Sequence, residues 1–112
     1  MTKNNRLTPT LSIACVQMNS TNDVSHNLAT VDKLMATIKQ PVDVVVLPEV
    51  FNYRNTSNHS DVYAEPLSGK SVDHLKQVAQ QYNTHIIAGS ITEASISKKA
   101  YNTCAVIQPN GD

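Results

Sequence analysis

Val42-Asp43-Val44-Val45-Val46-Leu47-Pro48-Glu49 is a run of five aliphatic residues around one acid, closed by proline and a second acid. It is too short for a helix and too apolar for an edge strand, so it reads as a strand buried inside a sheet. Pro48 disfavours helical geometry at Leu47 and stiffens the exit from the strand. Immediately upstream, Val24, Leu28, Val31, Leu34, Met35 and Ile38 recur at helical spacing. Asn22 or Asp23 is placed to cap that helix, Lys39 falls in its last turn and Pro41 closes it. Upstream again, Leu11 to Met18 has two apolar faces, Leu11, Ile13, Cys15 and Ala14, Val16, Met18. That pattern predicts a strand covered on both sides. Strand, helix and strand within forty residues make a βαβ unit, and the fold class is α/β.

Downstream comes a polar stretch from about Asn52 to Gly69, rich in Asn, Ser and Thr. An ordered loop of that length inside a compact domain is usually functional. A second helix is expected from about Ser71 to Gln81, with Val72, Leu75, Val78, Ala79 and Tyr82 on its apolar face. Strands follow at His85 to Ile91 and about Tyr101 to Ile107. Pro109-Asn110-Gly111-Asp112 is a hairpin signal, because Asn-Gly suits the positive-φ positions of a tight turn. Such a turn asks for a returning strand, so the chain reads as the start of a longer fold. At the other end, Met1 to Pro9 has one large aliphatic residue and reads as a flexible arm. Residues 10–112 then form one incomplete domain.

The 112 residues carry nine Lys and Arg against nine Asp and Glu. A chain without net charge gives no electrostatic case for nucleic acid or an anionic membrane. No apolar run reaches the ~18 residues of a membrane span, and no secretory leader pattern is present. Cys15 and Cys104 are too few for a disulfide scaffold and lie inside apolar strands, so buried, reduced thiols of a cytoplasmic protein are expected. His26, His59, His74 and His85 have no metal-ligand spacing. No Ser or Cys stands in a nucleophile elbow, and the glycines lack phosphate-cradle spacing. The triplets at Asn19, Asn55 and Asn58 match glycosylation acceptors but carry no weight without a secretory signal. Lys98-Lys99 reads as a solvated pair at a hairpin.

Glu49 stands apart from the other acids. It follows a buried parallel-type strand, at the carboxyl end where open α/β sheets bind ligands. A carboxylate held there partly out of water is expected to have a raised pKa and can act as a general base. The plainer alternative is an acid that ends a strand and caps a neighbouring helix.

Several blocks taken together resemble a known family. They are Ala14-Cys15-Val16-Gln17-Met18, Val45 to Asn52, Tyr63-Ala64-Glu65-Pro66-Leu67-Ser68-Gly69, Ile87 to Ile91, and Tyr101-Asn102-Thr103-Cys104-Ala105-Val106. In this order they resemble the start of the nitrilase superfamily of carbon–nitrogen hydrolases. Phe51-Asn52, Tyr63 to Pro66 and the Tyr101 block resemble its omega-amidase type, which hydrolyses the terminal amide of small 2-oxo acid amides. The resemblance implies a four-layer α-β-β-α sandwich, of which these residues supply about half the strands. It also implies a Glu-Lys-Cys thioester mechanism with Glu49 as general base, needing no metal or organic cofactor, on a small-molecule amide or nitrile. Family members usually form dimers, so a homo-oligomer is expected. Lys70, Lys76, Cys15 and Cys104 do not stand in the family's Lys and Cys motifs, which would come after Asp112. The isolated chain is therefore expected to be inactive, with one open sheet edge and one uncovered face. Two other readings remain at this point: a short non-catalytic interaction module of the same fold, and a generic α/β ligand-binding domain.

Overall fold

The computed structural model describes residues 9–55, 63–97 and 99–112. Residues 1–8 of the expected arm, His59, Lys98 and the Asn58 triplet lie outside the described residues, as do Thr56 and Ser57 of the Asn55 triplet. The elements are β1 (Ile13–Cys15), α1 (Val24–Ala36), β2 (Val44–Val46), α2 (Lys70–Tyr82), β3 (His85–Glu93) and β4 (Tyr101–Ile107). They form one sheet in the order β1-β2-β3-β4. The first three strands are parallel and β4 returns antiparallel to β3.

Helix α1 starts where a cap residue was expected: Asp23 is extended and its carboxylate accepts the His26 N–H at 3.1 Å. It ends at Ala36, so Lys33 rather than Lys39 occupies the last turn. Helix α2 ends on Asn83 in the left-handed region at φ 50, a conformation Asn tolerates. Leu28, Val31 and Met35 of α1 and Val72, Leu75, Val78 and Ala79 of α2 are buried against Val45, Leu47, Ile86, Ala88, Ile91 and Ile107 of the sheet. Each large aliphatic so buried contributes roughly 1.5–3 kcal/mol. Tyr82, expected on that face, is the last residue of α2 and is exposed.

Both helices cover the same face of the sheet. The register aligns Ile13, Val44 and His85, and likewise Cys15, Val46, Ile87 and Val106, on the other face. Among the described residues nothing covers that face: Ile13 is 53% exposed and Leu11 and Val106 are each 64% exposed. The expectation that β1 is covered on both sides is therefore corrected, and the expected bare face is present. The same geometry corrects the cysteines. Cys15 and Cys104 are exposed, not buried, because their strand positions point away from the helices.

The turn after β4 closes as a three-residue hairpin loop. Gly111 N–H donates to the Gln108 carbonyl at 2.9 Å, and Gln108 N–H to the Asp112 carbonyl at 2.7 Å. Gly111 alone takes positive φ, at 90, whereas Asn110 does not. The loop is thus a type I turn plus a left-handed glycine, not the two-residue form.

Candidate active site

The turn after β2 carries the candidate acid, and it is tied down from several elements. Leu47 N–H still pairs with the Ile87 carbonyl at 2.9 Å. The chain then reverses over residues 49–52, with Val50 at φ 44. Val50 N–H donates to Ser90 Oγ at 3.1 Å, and Ser20 Oγ donates to the Phe51 carbonyl at 2.8 Å. The Phe51 ring is wholly buried in the core. Asn27 Nδ2 of α1 donates to both the Thr21 carbonyl, at 2.7 Å, and the Asn52 carbonyl, at 2.8 Å. Its Oδ1 accepts the Thr21 N–H at 2.9 Å. Arg54 N–H reaches the Thr21 carbonyl at 2.9 Å. The loops after β1 and β2 are therefore one hydrogen-bonded unit.

Glu49 lines a cleft of about 440 Å³ with Met18, Ser20, Pro48, Val50 and Arg54. These residues follow the carboxyl ends of β1 and β2, the ligand position of an open α/β sheet. Glu49 itself is exposed. The partial withdrawal from water expected of it is absent here, because the cleft is open on the solvent side. Arg54, also exposed, is the cation of this lining.

A second carboxylate behind the turn is buried. Glu65 Oε1 accepts the Ser71 N–H at 2.8 Å. Its Oε2 accepts Ser71 Oγ at 2.5 Å, Tyr63 OH at 2.8 Å and Asn52 Nδ2 at 3.1 Å. Burial alone pushes this carboxyl up, but the donors from Ser71, Tyr63 and Asn52 together outweigh it and hold its pKa below the usual value. Tyr63 is pushed up to about 12, by burial first and then by its hydrogen bond to the Glu65 carboxylate and that charge. The Tyr63 ring also stacks on Tyr53 with centroids 4.7 Å apart. Glu65 backbone pairs with β3 as well, Glu65 N–H to the Thr92 carbonyl at 3.0 Å and Ala94 N–H to the Glu65 carbonyl at 2.8 Å. The described parts of the polar stretch, residues 52–55 and 63–69, thus anchor the Glu49 turn.

Neither Glu65 nor Asn27 was singled out for a site role from sequence. Asn27 had a visible signal, a polar residue three positions after Val24 on the buried stripe. Glu65 had a weaker one, an acid shortly before a helix whose own N-cap, Gly69, has no side chain to offer. The other candidates stay apart. His74 Nε2 pairs with Asp32 Oδ1 at 2.8 Å across the exposed tops of the helices. Lys70 Nζ donates to Ser25 Oγ at 2.7 Å. Among the described residues no group of three His, Cys, Asp or Glu side chains could hold a metal ion. No described helix is long and apolar enough to cross a membrane.

Comparison with known proteins bears on this geometry. Residues 12–112 match the carbon-nitrogen hydrolase family model. Omega-amidase NIT2 of Xenopus tropicalis is 41% identical over 88 residues, 78% of this chain and 32% of that protein. Omega-amidase NIT2 of Mus musculus is 35% identical over 103 residues, 91% of this chain and 37% of that protein. The chain thus spans about a third of the length of the curated relatives it matches. Among solved structures, XC1258 from Xanthomonas campestris, a CN-hydrolase superfamily protein, superposes with a TM-score of 0.78 at 25% identity, covering 91% of this chain and 38% of that one. The C. elegans NitFhit protein shares the fold, with a TM-score of 0.76 at 19% identity over 91% of this chain and 26% of that one.

Proposed function

Since the chain belongs to the carbon–nitrogen hydrolase family, we propose that it forms the general-base part of an amidase of the omega-amidase type. The observation that carries this reading is Glu49, set in a cleft at the carboxyl end of β2 on a turn tied to β3, α1 and the loop after β1. In the proposed reaction Glu49 takes the proton of a cysteine thiol as the sulfur bonds to the amide carbon. The C–N bond then breaks, and Glu49 returns the proton to the departing ammonia. Water next attacks the thioester, again giving its proton to Glu49, and the C–S bond breaks to release the acid and restore the thiol. A lysine stabilises the oxyanion of each tetrahedral intermediate. Cys15 and Cys104 lie on the bare sheet face and no lysine is among the residues lining the cleft, which supports a nucleophile and a lysine supplied by another part of the full-length protein.

Arg54 in the same cleft favours an acyl group bearing its own carboxylate, such as a 2-oxo acid ω-amide. A thiol nucleophile fits the reducing cytoplasm, and a homo-oligomer is the assembly proposed. The test is hydrolysis of such an amide by the full-length protein that carries this chain. Glu49→Gln is expected to lower kcat by about 10²–10⁴-fold, and Arg54→Ala to raise KM for carboxylate-bearing amides over neutral ones. Full activity in Glu49→Gln sinks the reading. The bare apolar face favours a second reading, a non-catalytic module that pairs with another subunit; a full-length wild type without amide turnover would support it.

A further inference from the structure

Glu49 is followed at once by a backbone conformation that valine disfavours. Val50 sits at φ 44, where a β-branched side chain crowds the main chain. Such a conformation persists only where neighbours enforce it, and it occurs preferentially at functional sites. The neighbour that reaches the residue next to Glu49 is Ser90, whose Oγ accepts the Val50 N–H at 3.1 Å. Ser90 is buried, and it stands at an irregularity of β3. Ala88 pairs with Ala105 and Ile91 with Thr103, so Gly89 and Ser90 together oppose Cys104 alone. A bulge of this kind redirects a side chain that regular alternation would place elsewhere. Gly89 contributes by having no side chain: a Cβ there would stand 1.8 Å from the Leu47 carbonyl oxygen and 2.7 Å from the Pro48 carbonyl. Two successive residues of β3 therefore fix the main chain on both sides of Glu49, one by close approach and one by a hydrogen bond.

We propose that Ser90, set in place by the Gly89–Ser90 bulge, is a positioning residue that holds the left-handed turn at Val50 and thereby aims the Glu49 carboxylate into the cleft. The proposal rests on the reading of Glu49 as general base. Phe51 and Asn52 are anchored by Ser20, Asn27 and Glu65, so the rest of the turn survives loss of the Ser90 hydroxyl. What changes is the direction of one carboxylate, and a misplacement of that kind lowers kcat without weakening substrate binding.

The experiment compares Ser90→Ala and Ser90→Thr with wild type in the full-length protein, reading amide hydrogen exchange at Val50 and at Ile86 and steady-state kinetics on a 2-oxo acid ω-amide. In Ser90→Ala, exchange at Val50 is expected to rise about fivefold or more while Ile86 stays protected. The same variant is expected to lose about 10–10²-fold in kcat with KM within about twofold of wild type. Ser90→Thr, which keeps the hydroxyl, is expected to restore both. Should the alanine variant fail to fold, Ser90→Cys, a weaker acceptor of similar size, gives the same pattern at smaller amplitude. Unchanged exchange at Val50, or faster exchange with kcat intact, overturns the proposal. A wild type that turns over no amide, while Val50 still loosens in Ser90→Ala, overturns the hydrolase reading and upholds the Ser90 clamp.

Discussion

Ser71 holds Glu65 with both of its donors, the backbone N–H on Oε1 at 2.8 Å and the hydroxyl on Oε2 at 2.5 Å. Ser71 lies in the first turn of α2, where backbone N–H groups have no helical partner. Gly69 has no side chain to satisfy them, so a carboxylate four residues before the N-cap does so instead. The same carboxylate accepts Asn52 Nδ2 from the Glu49 turn. One buried charge therefore couples the start of α2 to the cleft.

Glu65→Gln is expected to cost about 2 kcal/mol at pH 7, because an amide brings two donors to a site already filled with donors. It also removes a pH dependence. Burial pushes the Glu65 carboxyl up, but its hydrogen bonds win and the folded chain holds its pKa below the ordinary value of 4.5. The unfolded chain then binds the extra proton as pH falls below about 4.5, so this stabilisation is complete above that pH and is lost on further acidification. Urea midpoints from pH 7 to 3 are expected to fall less steeply in Glu65→Gln than in wild type; equal slopes would refute the assignment.

Tyr63 has the opposite sign. Its hydroxyl is neutral when protonated and its pKa is pushed up from 10.0 to about 12. The folded chain keeps the proton that the unfolded chain releases, so stability from this group is complete below about pH 10 and is lost as pH rises towards 12. Ultraviolet titration of the phenolates is expected to show one late tyrosine that disappears in Tyr63→Phe, with a stability loss of about 1 kcal/mol at pH 7.

Much of this architecture was legible in the sequence because hydrophobic period and cap residues agree locally. Asp23, the α1 stripe from Leu28 to Met35 and the Val44–Val46 strand needed no long-range information. Tyr101–Ile107 was placed to the residue. What was illegible depends on which sheet face the helices take. Cys15 and Cys104 sit in apolar runs whether their side chains face helices or open space, so their exposure could not be read from the runs. The cleft position of Glu49 followed from the strand that precedes it. The Ser90 contact spans forty residues and depends on a bulge, neither of which leaves a local pattern.

Gly89→Ala is expected to abolish folding. The added Cβ would meet the Leu47 carbonyl oxygen at 1.8 Å and Pro48 main-chain atoms at 2.7 Å, all of them backbone of the neighbouring segment. Relief requires parting β2 from β3 at the centre of the sheet, where Val45, Leu47 and Ile86 are buried. A loss above about 5 kcal/mol follows, the whole stability of a domain at the low end of the ordinary ~5–15 kcal/mol range. Far-ultraviolet circular dichroism that matches wild type with an unchanged melting temperature would contradict this close approach.

The bare sheet face makes a prediction for the 112-residue chain by itself. Leu11, Ile13 and Val106 are all more than half exposed on the face opposite the helices, and β1 and β4 are the two edges of the sheet. An apolar sheet face of this kind associates, and open edges template further pairing. The isolated chain is expected to bind a hydrophobic dye and to sediment above 12.2 kDa. Replacing Ile13 and Val106 by Lys should lower both signals while leaving the helical circular dichroism intact, since neither side chain belongs to the packed core beneath the helices. Lysine on a face that is open costs little, whereas on a face already covered it would bury a charge and unfold the chain. Loss of helicity in the double variant would therefore mean that this face is covered in solution.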